Sequence, residues 1–274
     1  MITVPQKFVL VEQGPLTLVV REDLRGQLLR CGVDDPERLC AQAGRPAHSG
    51  RGSVPRIELD PGTGEHVLVR KYRRGGLLRF LNADIFFGFR RSFDELNVTL
   101  AAARAGIDGA DMLGAACLRV WGPLYCHYIF SRELSGCCDL PQRFREGMSE
   151  AGAGDLARAV AGPVRLMHDS GFHHADLNLK NILVSREDPV RIFIIDWDRS
   201  TRERAALDTA QRQRNVVRFC RSAVKLAARG VPVPECFVDV FLDAYWRDSA
   251  RAAESRQALC RTLRRHRPFW WLQS

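Results

Sequence analysis

The sequence predicts an α+β fold in which an N-terminal antiparallel sheet with one main helix precedes a mostly helical C-terminal half. Three observations support this prediction. Short extended segments separated by turn residues fill the chain up to about residue 72, one long helical pattern begins at Ser92, and helical periodicity prevails after residue 140. A chain of 274 residues is long enough for one large or two modest domains.

Extended segments and tight turns predict the strands of the N-terminal sheet. Glycine-rich turns lie at Gly50-Arg51-Gly52 and at residues 61–64, and Trp121-Gly122-Pro123 is a third turn signal. The predicted strands cover residues 8–11, 16–20, 54–59, 67–72, 118–120 and 124–130. The mixed composition of residues 131–140 predicts a linker that follows the last of these strands.

The main helix of this half is predicted to begin at Ser92. Ser92 stands three residues before Glu95, which is the spacing of a capping box. Leu96 and Leu100 share a helical face, and Gly106 is a typical helix stop. We therefore expect a single helix between Ser92 and Gly106 before the next strands.

Helical patterns and one hairpin predict the C-terminal half. Leu156, Val160 and Val164 fall on one face of a helix that should end at Gly171. Residues 182–184 and 191–195 are two short apolar segments that predict an antiparallel hairpin. Helical patterns then continue from residue 205 to the end. We place the boundary after residue 134, which gives an N-terminal lobe of residues 1–134 and a C-terminal lobe of residues 135–274.

Composition indicates a folded protein and excludes several other classes. Hydrophobic residues make up 46% of the chain and charged residues 27%, which excludes wholesale disorder. The densest apolar run, residues 192–195, is much shorter than the ~20 residues that span a bilayer. Residues 1–14 show no charged stretch followed by an apolar core, so we expect no export. Because the nine cysteines include no C-x-x-C pair, we expect reduced thiols in a cytosolic protein.

The net charge of +9 comes almost wholly from arginine, since the chain has only four lysines, Lys7, Lys71, Lys180 and Lys225. Arginine suits phosphate groups, so the excess indicates nucleic acid, nucleotides or an anionic lipid as partners. A genome rich in G and C would produce the same excess without such a role. No recognisable nucleic-acid-binding module is present, and we expect no nucleic-acid partner.

The residues that indicate chemistry cluster between His174 and Asp198. Asp176 lies in a loop, Asn181 follows five residues later, and the predicted hairpin returns Asp196 alongside Asn181. One carboxylate and one amide oxygen then share a divalent cation such as Mg²⁺, while Asp176 orients a hydroxyl nucleophile. A simple turn cap would explain Asp176 and Asn181, but not Asp196 or the apolar strand before it.

This segment resembles the catalytic loop and metal-binding motif of the protein-kinase-like superfamily, with the pattern H-x-D-L-x-x-x-N and a further aspartate about twenty residues on. The resemblance implies a bilobal fold in which residues 1–134 cover the nucleotide ATP and residues 135–274 carry the catalytic loop. It implies Asp176 as the catalytic residue and Asn181 and Asp196 as ligands of Mg²⁺. We interpret His174 as a packing histidine that supports the loop.

The same resemblance also assigns roles around the ATP phosphates to four further positions. Gly50 and Gly52 would cover them, although an ordinary hairpin turn fits this segment equally well. Adjacent side chains of a strand face opposite ways, so either Arg70 or Lys71 would supply the cation that binds the α- and β-phosphates.

The remaining two positions also have ordinary alternatives. Glu95 would hold the strand cation, or would serve only as the capping-box glutamate. Lys180 would neutralise the transferred phosphoryl group, or would be a solvated loop lysine.

A finer resemblance is to the lipopolysaccharide kinase family, and within it to kinases of 3-deoxy-D-manno-octulosonic acid (Kdo). Five segments carry it: Gly50-Arg51-Gly52, residues 70–77, residues 174–183, residues 195–200, and Asn215-x-x-Arg218-Phe219-x-Arg221-Ser222. Lys71 stands where histidine is expected, and Trp197 where phenylalanine is more common. The resemblance implies transfer of the γ-phosphoryl group of ATP to the 4-OH of Kdo on an anionic Kdo-bearing lipid A precursor.

Such an acceptor implies a cytoplasmic protein that is peripheral on the inner membrane. Arginines mixed with apolar residues at 73–91, including Phe86, Phe87 and Phe89, and again at 261–272, suit a headgroup interface. Charged outer faces over a buried stripe would give the same pattern. Two alternatives stay open: a kinase of another acceptor, such as a core heptose or a small molecule, and a non-catalytic pseudokinase adaptor at the membrane.

Overall fold

A computed structural model of the chain describes residues 2–42, 54–60, 62–73 and 84–266. The chain divides into two compact units, one of Met1–Ala101 with Ala110–Leu134 and one of Ala102–Gly109 with Ser135–Ser274. The first unit is built on an antiparallel sheet and the second mainly on helices. This content of sheet and helix confirms the predicted α+β fold class.

The first unit contains one antiparallel sheet with seven described strands. They are β1 (Phe8–Gln13), β2 (Leu16–Arg21), β3 (Arg56–Glu58), β4 (His66–Lys71), β5 (Phe86–Phe87), β6 (Met112–Trp121) and β7 (Leu124–Arg132). Their order is β1-β2-β6-β7-β4-β3, with β5 beside β7. The six predicted strands are confirmed, although β6 begins at Met112 rather than at residue 118.

The two faces of this sheet bury different side chains. Val67 and Val69 of β4 are fully buried in one apolar cluster, whereas Tyr72 belongs to the cluster that packs on α3 (Arg91–Arg104). Because side chains alternate along a strand, Arg70 lies on the face of Tyr72. Lys71 lies on the face of Val67 and Val69, which is the face away from α3.

Two short helices, α1 (Arg25–Arg30) and α2 (Pro36–Gln42), follow β2 and are missing from the prediction. Each spans fewer than two turns and places a single leucine, Leu28 or Leu39, in the core. Helical periodicity needs a longer segment to be visible in a sequence. Tertiary packing therefore supports these helices, and their sequence pattern does not reveal them.

The capping box predicted at Ser92 is wrong. The helix α3 begins at Arg91, and Ser92 lies inside it, fully buried, where its hydroxyl donates to the carbonyl of Ala116 (2.9 Å). The Glu95 carboxylate pairs with Arg70 of β4 and accepts a hydrogen bond from the Tyr72 hydroxyl. Ser92 and Glu95 are residue types that often cap helices, but contacts with residues distant in sequence decide their roles here.

The second unit combines short strands with five helices in its described part. Its elements are β8 (Cys137–Asp139), α4 (Leu140–Arg145), α5 (Glu150–Asp169), β9 (Phe172–His173), β10 (Ile182–Ser185), β11 (Ile192–Ile194), β12 (Thr201–Arg202), α6 (Thr209–Ala227), α7 (Cys236–Trp246) and α8 (Ser249–His266). The predicted hairpin is confirmed, with Ile182 opposite Ile194. The predicted linker at 131–140 is wrong, because β7 continues to Arg132 and β8 pairs with β10.

Two findings bear on the predicted membrane contact. Within the described ranges, no helix is long and apolar enough to cross a bilayer. Parts of both predicted basic and aromatic runs, residues 74–83 and 267–274, lie outside the described residues. The glycines Gly50 and Gly52 of the predicted phosphate loop lie outside them as well.

Candidate active site

The predicted catalytic loop starts where α5 ends. Gly171 has a φ of 81°, and a Cβ atom there would lie 2.6 Å from the carbonyl oxygens of Glu203 and Ala205. Only glycine fits this position, since it has no Cβ and adopts positive φ without penalty. The chain thus turns sharply from α5 into β9 and leads directly to His174.

The backbone brings the three predicted metal and base positions together. The side-chain amide nitrogen of Asn181 donates to the backbone carbonyl of Asp176 (2.8 Å), and the backbone N–H of Ile195 donates to the backbone carbonyl of Asn181 (3.0 Å). Asp196 follows Ile195 directly. Asn181 is fully buried, Asp196 is half-buried, and the Asp176 side chain is 61% exposed. These hydrogen bonds place Asn181 next to Asp176 and next to the residue before Asp196 in the second unit.

His174 closes this arrangement from the buried side. Its Nδ1 accepts from the backbone N–H of Asp176 (3.2 Å), so Nε2 carries the proton and donates to the carbonyl of Ile195 (3.1 Å). Burial lowers the pKa of His174 and keeps the imidazole neutral. The structure confirms the interpretation of His174 as a packing histidine, because both ring nitrogens are engaged with the backbone.

Asp196 stands at a strained turn. Its φ of 67° lies in the left-handed region, which aspartate tolerates better than most residues. The next residue, Trp197, is buried, and its Nε1 donates to the carbonyl of Ile194 (3.1 Å). This anchor holds the backbone in the strained conformation, a feature that concentrates at functional sites.

Three side chains of α6 hold the loop. The Asn215 amide donates to the carbonyl of His174 (2.7 Å) and accepts from its N–H (3.3 Å), while Ser222 Oγ accepts from the N–H of Leu179 (3.0 Å). Arg218 donates to Oδ1 of Asp176 (3.3 Å). Sequence reasoning singled out the motif of these residues without assigning them a role. Their spacing, which places all three along one side of a helix, was the available signal.

The first unit holds a charged cluster on the α3 face of its sheet. Glu95 is only 5% exposed, forms an ion pair with Arg70 and accepts a hydrogen bond from the Tyr72 hydroxyl. The guanidinium of Arg70 also lies 5.0 Å from the centre of the Tyr72 ring. Glu95 therefore fixes the position of one strand cation, and that cation is Arg70.

Lys71 is not part of this cluster. Its Nζ lies 3.1 Å from Asp84 and 3.9 Å from Glu37, on the opposite face of the sheet. Between the two candidates that the sequence left open, the structure brings Arg70 to Glu95 and Lys71 to other carboxylates.

Asn181 and Asp196 carry oxygen donors of the types that Mg²⁺ accepts. The nitrogen of the Asn181 amide points to the Asp176 carbonyl, so its oxygen lies on the other side of the amide. The described residues contain no group of three His, Cys, Asp or Glu side chains that could hold a metal. A site of one carboxylate and one amide oxygen nevertheless suits Mg²⁺, which commonly completes its shell with substrate phosphates and water. Lys180 lies beside Asn181, and its N–H donates to Oδ1 of Asn178 (2.9 Å).

Comparison with known proteins identifies the family. The model of the lipopolysaccharide kinase (Kdo/WaaP) family matches residues 56–245. The chain belongs to this family. The matched range includes Arg70 and Glu95 of the first unit and Asp176, Asn181 and Asp196 of the second.

Individual relatives agree with this result. The 3-deoxy-D-manno-octulosonic acid kinase of Xylella fastidiosa (strain M12) is 32% identical over 185 residues, which cover 66% of this chain and 69% of that protein. The protein of the same name from Vibrio cholerae serotype O1 is 30% identical over 210 residues, covering 72% and 84%. A solved structure of WaaP in complex with acyl carrier protein has a TM-score of 0.57 at 19% identity, covering 92% of this chain and 98% of that one.

Membership of this family makes the chain an ATP-dependent phosphotransferase of lipopolysaccharide biosynthesis. The likeness to the WaaP structure confirms the predicted kinase-like fold class.

Proposed function

We propose that this kinase transfers the γ-phosphoryl group of ATP to the 4-OH of Kdo on a Kdo-bearing lipid A precursor. One observation carries the proposal: Asp176, whose carboxylate is exposed, accepts at its backbone carbonyl from the Asn181 side chain, and Asn181 accepts at its own backbone carbonyl from the N–H of Ile195, the residue before Asp196. The names of the relatives support Kdo as the acceptor sugar.

Asp176 is proposed as the residue that meets the acceptor hydroxyl. The Asn178 amide donates to its Oδ2 (2.9 Å) and Arg218 donates to its Oδ1 (3.3 Å), so the carboxylate is held in one orientation while remaining open to solvent. The hydroxyl oxygen forms a bond to the γ-phosphorus as the bond to the ADP oxygen breaks, and the hydroxyl proton passes to Asp176. Little further covalent chemistry is required of the protein.

Asn181 and Asp196 would hold Mg²⁺ through one amide and one carboxylate oxygen. When bound, the ion supplies positive charge that neutralises the β- and γ-phosphates. The buried position of Asn181 and the anchored turn at Asp196 keep these two ligands in place before the nucleotide binds. Lys180, next to Asn181, would contribute charge to the transferred group.

Arg70 is proposed as the cation that binds the ATP phosphates, because Glu95 holds it on the α3 face. Lys71 is left out of this role, since its carboxylate partners lie on the other face. Gly50 and Gly52 remain proposed to cover the phosphates. Residues 1–134 are thus the proposed nucleotide lobe, and residues 135–274 carry the catalytic loop.

The proposal includes a peripheral position on the cytoplasmic face of the inner membrane. Phe87 is 79% exposed and Trp121 is 75% exposed, and both stand opposite Leu124 in the sheet. Directly opposite residues of an antiparallel pair share a face, so these three side chains form an apolar row. Exposed aromatic side chains of this kind suit the headgroup region of a bilayer. Phe86, in contrast, is buried and contributes to the core.

An acceptor panel tests the proposed function. The purified kinase would be given labelled ATP with a Kdo-lipid A precursor, the same lipid without Kdo, or a heptose-bearing lipid, and NMR would locate the new phosphate. We expect label on the Kdo lipid alone, attached at O-4. Label on the heptose lipid or at another oxygen would overturn the proposed acceptor. Absence of turnover with every acceptor would favour the pseudokinase adaptor.

A further inference from the structure

Helix α6 has one strongly basic face. Between Thr209 and Ala227 it contains five basic side chains and no acidic one. Four of the five are separated by four, three and four residues, which places them along one side of the helix. They are Arg214, Arg218, Arg221 and Lys225, called here the α6 basic face. The fifth, Arg212, points elsewhere and pairs with Asp169 (2.6 Å).

The α6 basic face lies beside the proposed catalytic carboxylate. Arg218 contacts Asp176 directly, and Ser222, one residue after Arg221, binds the loop at Leu179. In the proposed function Asp176 is the group that meets the acceptor and not the nucleotide. An anion bound along this face would therefore belong to the acceptor.

The four basic residues of this face stand three or four positions apart, so successive ones are neighbours on the helix surface. The pKa of Lys225 is lowered first by burial and then by the positive charges of Arg229, Arg221 and Lys180. Arg214 and Arg218 in turn lower the pKa of His173, after the larger effect of burial. Cations held this close repel one another, and a bound anion would relieve that repulsion.

We propose that the α6 basic face binds the phosphate groups of the lipid A part of the acceptor and so holds the acceptor sugar at Asp176. This inference rests on the proposed function and goes beyond it by naming the surface that recognises the lipid. Arginine side chains bind phosphate through paired N–H donors. From Arg214 to Lys225 the face is about 16 Å long at 1.5 Å per residue, which is enough for more than one phosphate.

The test compares a bisphosphorylated Kdo-lipid A precursor with the same lipid after removal of its phosphates. The double variant Arg221→Gln/Lys225→Gln removes two charges from the face and leaves Arg218 beside Asp176. We expect its KM for the phosphorylated lipid to rise about 10- to 100-fold, since charge-assisted hydrogen bonds are lost. Its KM for the dephosphorylated lipid, its KM for ATP and its kcat should stay close to the wild-type values.

A matched control removes two charges elsewhere. Arg158→Gln/Arg251→Gln alters exposed arginines of α5 and α8 that pair with Asp155 and Asp248. In this variant kcat and the KM values for ATP and for both lipids should stay at their wild-type levels. An unchanged KM for the phosphorylated lipid in the Arg221/Lys225 variant, or equal KM values of the wild type for both lipids, would overturn the inference. If the double variant fails to fold, as judged by thermal unfolding, Arg214→Gln at an exposed position takes its place. A raised KM for the phosphorylated lipid then supports the inference, and an unchanged KM overturns it.

Vesicle binding separates this inference from the proposed function. If the kinase transfers no phosphoryl group to either lipid, the proposed function fails. Binding to phosphatidylcholine vesicles that contain one or the other lipid then still tests the α6 basic face. We expect stronger binding to the phosphorylated lipid, and loss of this preference in the Arg221/Lys225 variant. Equal binding to vesicles with matched charge from phosphatidylglycerol would show a general membrane surface and would overturn the inference.

Discussion

The charged groups of the two units are held by opposite means. In the first unit, the Glu95 carboxylate is nearly buried and is held by the side chains of Arg70 and Tyr72. In the second, the Asp176 carboxylate is exposed, and buried neutral groups such as His174 hold its backbone. A charge that only positions another group can be buried and paired, whereas a carboxylate that accepts a proton needs access to its substrate.

The exposed carboxylate should give the largest effect. Asp176→Asn removes the proton acceptor but keeps the shape of the side chain, so we expect kcat to fall about 10³-fold. ATP affinity should remain, since Asp176 is not proposed to bind the nucleotide. Asp155→Asn, an exposed aspartate of α5, is the control. Steady-state turnover measures both variants, and wild-type turnover in Asp176→Asn would remove Asp176 from the mechanism.

The Arg70–Glu95 pair of the first unit predicts different roles for two neighbouring cations, Arg70 and Lys71. Arg70→Met should raise the KM for ATP about 10- to 100-fold, because a charged hydrogen-bond donor to phosphate is lost. Lys71→Met changes a side chain on the opposite face and should alter the same constant by less than about twofold. Kinetics at saturating acceptor measure this pair of variants. A larger effect at Lys71 would reverse the assignment.

The neutral framework behind Asp176 should matter for stability. Asn215 is buried, bonds both backbone groups of His174 and lies 2.9 Å from Nε2 of His168. Replacing it by leucine leaves these groups unpaired, so we expect the free energy of unfolding to fall by about 2–3 kcal/mol. Gln213→Leu on the same helix is the control. Urea unfolding measures the difference, and equal stability of the two variants would contradict the structural role of Asn215.

The same framework predicts a smaller, pH-dependent effect. Burial lowers the pKa of His168 to about 4 and also lowers the pKa of His174. In the unfolded chain both histidines titrate near 6.5, so below this pH the unfolded state binds more protons and is favoured. We expect the free energy of unfolding to fall by about 1–2 kcal/mol between pH 7.5 and pH 6. Stability that rises over this interval would contradict neutral buried histidines.

The catalytic loop could be predicted from the sequence because its geometry is local. Asn181 and Asp196 flank one short hairpin, whose apolar strands and turn are visible in the sequence, and Asp176 stands only five residues before Asn181. The face of Arg70 could not be chosen, since alternation along β4 fixes only that Arg70 and Lys71 face opposite ways. The position of α3 decides between them.

Contacts distant in sequence explain the other differences. Ser92 and Glu95 match a local capping pattern, but their partners Ala116 and Arg70 lie more than twenty residues away. The supporting role of Asn215 depends on contact with a loop 41 residues earlier. The strand β8 contains only three residues and is defined by its pairing with β10. Local periodicity carries no information about such pairings.

The dependence of ATP binding on Mg²⁺ tests the convergence of Asn181 and Asp196 most directly. Equilibrium titrations would compare the wild type with Asp196→Ala, each in the presence of Mg²⁺ or of a chelator. We predict that Mg²⁺ strengthens ATP binding to the wild type about tenfold or more, and that the variant binds ATP equally weakly with and without the ion. A variant that keeps the full Mg²⁺ dependence would show that Asp196 is no metal ligand and would contradict the proposed site.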